Sequence, residues 1–259
     1  MLTATRPENV FWHLVENNGV VFVHEYGESP TGIYVSEDLE HWRKLITNLD
    51  IDKSSRHFHY LAYDRYRNWL IATLGDGCLV RVITSPDLGN SWRPLYSGPW
   101  QFVPIVPLED RIVLGMDSGI ARGGLGVYFP EGGWNFLFLK WVDGTVRFAQ
   151  MSDLKLLSNG LWLAALGTPQ AILASEDLKT WKLVYVEGFD KTFNIHMTIS
   201  EGTNVVCSTG ENLLLFNKNE LKSMALNNQP VIVEYRAYLD KLKGAAFVLK
   251  RRLSSRPWA

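Results

Sequence analysis

A short pattern recurs along the 259-residue chain: Ser36–Trp42 (SEDLEHW), Ser85–Trp92 (SPDLGNSW) and Ser175–Trp181 (SEDLKTW). Each copy follows an apolar run (GIYV, RVIT or AILA) and precedes a further strand-like stretch. Trp42 and Trp92 are 50 residues apart and Trp92 and Trp181 are 89 apart, which is one period and then two of roughly 45. A degenerate copy, YFPEGGW at 128–134, stands where the missing unit is due. Units of about 40–50 residues with several strands each suggest propeller blades.

Between the repeats the chain has a common grammar. A strand leads through a turn to a second strand ending near Gly, then to a third carrying the Ser-Asp pattern, then to a fourth. Five such segments can be traced, with turns at Asp64–Asn68, Glu109–Asp110, Ser158–Gly160 and Glu201–Gly202. Gly and Asn-Gly at such junctions suit hairpins, which need positive φ. The expected fold is all-β: a five-bladed β-propeller of four-stranded antiparallel blades over residues 1–230. Residues 231–259 break the grammar and are expected to close or cap the same domain. Within them Tyr235, Tyr238, Leu239 and Leu242 follow helical spacing, while Ala246–Lys250 reads equally as a last strand.

The repeated turn is itself a structural device. A Ser hydroxyl and a short Asp carboxylate accept backbone N–H groups and fix a tight turn, and the Trp packs the hairpin on its neighbour. The repeated residues are therefore assigned to architecture at the propeller periphery.

Composition narrows the function classes. Net charge is −1, so no field over the whole protein points to nucleic acid or an anionic membrane. The charge is uneven, however: residues 231–259 carry seven Lys/Arg against Glu234 and Asp240, a net of +5 that leaves −6 on the rest. That basic segment suits an acidic patch of the same protein or a protein partner. The two cysteines, Cys78 and Cys207, form no metal motif and read as small buried hydrophobes. The N-terminus has no signal-peptide pattern, and no apolar stretch approaches the ~18 residues of a membrane span. A soluble cytoplasmic protein is expected.

The repeat at 85–92 resembles the Asp-box (bacterial neuraminidase repeat) of sialidases, and the shorter form at 36–42 and 175–181 is similar to a hairpin of five-bladed glycoside hydrolases such as arabinanases and invertases. The resemblance spans residues 10–225 and implies a sialidase-like or glycoside hydrolase-like propeller with its ligand over the central axis. The chain departs from sialidases in lacking an Arg-Ile-Pro segment and an arginine triad. It departs from arabinanase-type enzymes in having no Asp on its first strand, Val10–His13. Asp-box propellers also include non-catalytic scaffolds, so a protein-interaction or assembly scaffold is the alternative.

Inner strands of a propeller converge on its axis, and the candidate site residues come from their ends. His57 and His59 lie two apart on one strand and share a side. His196, Gln101 and Arg147 fall at corresponding places in other segments, while Glu25, Asp76, Asp117 and Glu211 follow or replace the Gly at successive strand ends. Three chemistries fit. Glu25, Asp76 and Asp117 suit the carboxylate pair of glycoside hydrolysis. The histidines, with a Tyr or an Arg, suit the abstraction of the proton beside a uronate carboxylate that a polysaccharide lyase requires. His57, His59 and His196 suit a divalent metal, although no metal or other cofactor is required by the leading reading. Alternatively, these groups bond one another and water in a polar channel. His59, His196, Asp76, Asp117 and Glu25 are thus the catalytic candidates, and His57, Gln101, Arg147 and Tyr26 the ligand-binding ones. Trp12, Tyr26, Phe58 and Trp100 are expected to line the rim for stacking on sugar rings. The expected ligand is an oligosaccharide or glycan.

Overall fold

The computed structural model describes residues 2–76, 79–145, 147–189, 196–199, 204–209 and 211–254, with the backbone alone for Val80, His196, Thr198, Ile199 and Ser254. The chain forms two compact units, Met1–Asp110 with Leu242–Ala259, and Arg111–Lys241.

The first unit contains β1 (Val10–Asn17), β2 (Val20–Tyr26), β3 (Gly32–Ser36) and β4 (Arg43–Thr47), a short helix α1 (Asn48–Ile51), then β5 (His57–Asp64), β6 (Trp69–Gly75), β7 (Val80–Ser85), β8 (Arg93–Gly98) and β9 (Phe102–Pro107). β1–β4 and β5–β8 are two antiparallel four-stranded sheets, each with its strands in sequence order. Their core is Phe22, Ile33, Phe58, Leu61, Leu70, Leu74 and Ile83, all nearly or wholly buried. Burying each such side chain contributes about 1.5–3 kcal/mol.

The second unit contains β10 (Ile112–Met116), β11 (Gly124–Phe129), β12 (Gly133–Trp141), β13 (Gln150–Leu156), β14 (Trp162–Thr168), β15 (Gln170–Ser175), β16 (Thr180–Gly188), β17 (His196–Ile199), β18 (Asn204–Ser208), β19 (Leu213–Asn217), α2 (Lys218–Asn227) and β20 (Pro230–Glu234). β17–β19 form a three-stranded sheet. β20 is inserted between β12 and β16, so that Ile232 pairs with both Trp141 and Trp181. One sheet therefore runs β13-β14-β15-β16-β20-β12-β11-β10. Cys207 is a free, buried member of the core between β14, β15, β18 and α2, and burial pushes its thiol pKa up to about 12. Cys78 lies outside the described residues, as do residues 190–195 at the start of the fifth segment.

All three Ser-Asp turns join a third strand to a fourth, as the repeat implies, and the degenerate copy turns β11 into β12. They hold an unexpected backbone feature. Leu39, Leu88 and Leu178 each adopt positive φ, of 64°, 54° and 66°, a conformation that costs an ordinary side chain roughly 1–2 kcal/mol. In the two seven-residue copies the clamp is the same. Ser36 and Ser175 Oγ accept the Leu N–H at 2.9 Å, and the Trp42 and Trp181 indoles donate to the Leu carbonyl at 3.0 Å. Asp38 and Asp177 accept the next two backbone N–H groups. In the longer second copy the Ser85 hydroxyl instead accepts from Gly89, and Asp87 from Ser91.

After β20 the C-terminal segment forms a helix, α3 (Tyr238–Ser254), which includes the Ala246–Lys250 stretch that also read as a strand. Leu242–Ala259 belongs to the first unit, where a Cβ added at Gly244 would meet Trp100 at 2.6 Å and Pro99 at 3.0 Å. Only glycine allows that approach.

Candidate functional site

The first unit gathers His57, His59, Asp76, Tyr26 and Gln101. His57 and His59 flank Phe58 on β5, so the period of two that buries Phe58 in the core turns both imidazoles the other way. A register shift between Phe58 and Tyr60 accompanies them, and the rings lie 4.8 Å apart, edge to face. Both are buried, at 2% and 6% exposure.

Asp76 follows the end of β6 at φ 47°, a left-handed conformation that Asp tolerates better than most residues. Its carbonyl accepts the Arg56 N–H, and its carboxylate reaches within 3.3 Å of His57 Nε2 while staying 40% exposed. The His57 imidazole is the largest influence on the Asp76 carboxyl and lowers its pKa, with burial opposing. Burial drives the His59 pKa down to about 4, reinforced by His57, so His59 is neutral at pH 7. The Tyr26 ring covers His57 at 4.2 Å and lies 6.1 Å from His59. Trp12 meets the Tyr26 edge at 4.3 Å.

Gly75 keeps this corner open. A Cβ there would stand 3.3 Å from Gln101 Oε1 and 3.4 Å from His59 Nε2. The amide oxygen and the buried imidazole therefore converge over a bare backbone.

Glu25, read from the sequence beside these residues, has other partners. It is fully buried and accepts from Thr5 N and Oγ1, Asn9 Nδ2, Gly32 N and Tyr34 Oη, at 2.6–3.3 Å. It ties the N-terminal segment to β3. Of the expected stacking aromatics, Phe58 is core and Trp100 is buried against α3. Trp12 and Tyr26 stay partly exposed.

Asp117, Arg147 and His196 belong to the second unit. Asp117 follows β10. Arg147 pairs with Asp143 and stacks over Trp141 and Phe189 at 4.7 and 4.6 Å. His196 opens β17 with its backbone paired to Ser208, and its side chain is outside the described residues.

Two residues were not picked out by sequence. His24, wholly buried on β2, has its pKa lowered to about 3 by burial, with smaller depressions from His59 and His57. His13 lies 3.1 Å from it and its ring is 3.9 Å from Tyr60. The available signal was His24 directly preceding Glu25 at a strand end. A separate surface depression of about 220 Å³ lies beside the first Ser-Asp turn, lined by Ser36, Asp38, His41 and Arg43. Its carboxylate is already engaged by His41, so it is a by-product of the turn.

No family model matches the sequence, and no curated protein matches it. Solved structures do. A chain in the crystal structure of the nidogen/laminin complex has a TM-score of 0.62 at 13% identity, covering 83% of this chain and 78% of that one. Virginiamycin B lyase from Staphylococcus aureus has a TM-score of 0.57 at 11% identity, covering 83% and 72%. YCF48 bound to a D1 peptide has a TM-score of 0.52 at 11% identity, covering 93% and 71%. At these identities the likeness is one of fold: a β-rich, largely antiparallel, propeller-like protein.

Proposed function

We propose that this chain is a glycan-binding propeller of the Asp-box type with five blades, whose ligand rests on the surface made by Tyr26, His57, Asp76 and Gln101. The blade count rests on five consecutive runs of antiparallel strands within the two units, β1–β4, β5–β8, β10–β12, β13–β16 and β17–β19, and on the periodic Ser-Asp turns. The ligand class rests on chemistry. A sugar is held by planar polar groups that fix its hydroxyls and by an aromatic face that covers its apolar side. The carrying observation is Asp76: a carboxylate partly open to solvent beside a buried imidazole that the Tyr26 ring covers.

Binding is favoured over hydrolysis within this unit. Hydrolysis needs two carboxylates set about 5–9.5 Å apart, one holding a proton. Asp76 is held ionised, and the five hydrogen bonds accepted by Glu25 suit an anchor. Asp117 and His196 carry the remaining catalytic assignments, with neutral His59 as the base a lyase would use. A thermal-shift screen against neutral, acidic and sialylated oligosaccharides tests the reading, because a ligand that binds only the folded state raises its melting temperature. A rise with at least one class is expected, and no rise with any class overturns it.

The scaffold reading also has a specific observation behind it. Helix α3 exposes Leu239, Leu242, Leu249 and Leu253 at 58–73%, on spacings of 3, 7 and 4. Its described length carries Lys241, Lys243, Lys250, Arg251 and Arg252. Capture of an acidic protein through this helix, together with a silent sugar screen, would favour it.

A further inference from the structure

We propose that His57, His59 and Asp76 bind one divalent transition-metal cation. The proposal shares His57 and Asp76 with the glycan reading but does not rest on it, and starts from where the protons must be. His57 Nδ1 lies 2.6 Å from the Gly27 carbonyl oxygen. A carbonyl can only accept, so Nδ1 carries the hydrogen and donates it. In the neutral ring Nε2 then holds a lone pair, and that lone pair faces Asp76 Oδ2 at 3.3 Å. Two acceptors facing one another at that distance call for a positive charge between them.

His59 supplies a third group, a ring nitrogen without a partner. Its Nε2 and that of His57 are both buried without a hydrogen-bond partner. The ligand atoms of His57, His59 and Asp76 all lie within 4.8 Å of one another. A proton on His57 would satisfy Nε2 and Asp76 but leave His59 unanswered. A cation at the common centre satisfies all three.

The distances decide whether a cation fits. Donors at about 2.0–2.2 Å from a tetrahedral zinc-like ion lie roughly 3.3–3.6 Å apart. A pair at the 4.8 Å limit therefore closes by about 1 Å, a movement shared between the imidazoles and the partly exposed Asp76 carboxylate. Two imidazoles and one carboxylate select Zn, Mn, Fe, Co or Ni over Ca or Mg, which prefer all-oxygen shells. The surroundings match as well. A metal-bound histidine commonly donates its other ring N–H to a backbone carbonyl, as His57 does to Gly27. Gly75 leaves the space that a side chain would narrow, with Gln101 Oε1 above it. Three protein ligands with one side open, at Asp76, leave a position for water or a ligand oxygen.

The test uses the full chain, stripped with a chelator and titrated with Co²⁺ and Zn²⁺. Ligand-field absorption from Co²⁺ and a calorimetric stoichiometry of one Zn²⁺ per chain are expected. Asp76→Asn should weaken Zn²⁺ binding tenfold or more, and His59→Gln should remove the Co²⁺ band. Cys207→Ser should change neither. Asp76 is partly exposed, so Asp76→Asn keeps the test decisive if His59→Gln fails to fold. Absence of a Co²⁺ band, a band unchanged in Asp76→Asn, or binding of Mg²⁺ or Ca²⁺ as tight as that of Zn²⁺ would overturn the proposal. Running the sugar screen with chelator present separates its failure from that of the glycan reading.

Discussion

His13 Nδ1 and His24 Nε2 face each other at 3.1 Å inside the first unit. The other His24 nitrogen, Nδ1, lies 3.4 Å from the Glu25 carbonyl and is the natural proton carrier. His24 Nε2 is then the acceptor and His13 Nδ1 the donor. Burial keeps the His24 ring neutral by lowering its pKa to about 3.

Acid should therefore destabilise the protein well above the range in which carboxylates titrate. The folded pKa of His24 lies below its unfolded value of about 6.5, so the unfolded chain takes up the proton first. Stability is lost as pH falls from about 6.5 toward 3, at up to about 1.4 kcal/mol per pH unit for this one group. Denaturant titrations of metal-free protein between pH 7 and 4 measure the slope. His24→Gln should reduce it by up to one proton's worth. An unchanged slope would assign the acid sensitivity elsewhere.

The positive φ of Leu39 yields a substitution expected to stabilise. Leu39 is 62% exposed, so little burial is lost when it is replaced. Leu39→Asn suits the left-handed backbone better and should raise stability by a few tenths to about 1 kcal/mol, read as a higher midpoint in urea. Lower stability would mean that the Leu side chain contributes more than its backbone costs.

In the third copy the turn and its Trp act together. Trp181 is fully buried, and Asp177 accepts from Lys179 N, Thr180 N and Thr180 Oγ1. Trp181→Ala should cost about 3–5 kcal/mol, and Asp177→Ala about 1–2 kcal/mol from the lost turn bonds. Calorimetric melting of both variants checks this, and no substantial loss in Trp181→Ala would contradict the packing described for this hairpin.

These turns explain how much of the fold was legible. A Ser, an Asp and a Trp within seven residues make a local structure whose partners are all nearby, so sequence spacing located each hairpin. His57 and His59 were legible for a similar reason, since a strand's period of two puts both on one side. What sequence could not show is pairing at a distance. Glu25 stood at a strand end like Asp76, but its partners Thr5, Asn9, Gly32 and Tyr34 come from two separate stretches, the N-terminal segment and β3. β20 looked like part of an irregular tail, yet it pairs with β12 and β16, whose partner residues lie some 90 and 50 positions earlier, respectively. The helical spacing of Tyr238, Leu239 and Leu242 was visible, but not that all three would be exposed.

Helix α3 is seated by the absence of a side chain at Gly244. Gly244→Ala places a Cβ 2.6 Å from Trp100, a clash expected to cost about 1–3 kcal/mol by overpacking. Hydrogen exchange of the α3 amides should speed up while that of the β6 and β7 amides is unchanged. Uniform exchange across both would contradict a local seat.

The central claim, that Tyr26 and Asp76 form a working ligand surface, is tested most directly by measuring stability and ligand binding on the same variants. Asp76→Asn should leave unfolding free energy within about 1 kcal/mol of the parent, since a carboxylate that stays 40% exposed contributes little. It should weaken the oligosaccharide that shifts the parent by roughly 10- to 100-fold, as a lost charged hydrogen bond implies. Tyr26→Ala should weaken it about 3- to 10-fold through lost stacking. Large destabilisation with unaltered affinity in both variants would contradict the account and reduce these residues to architecture.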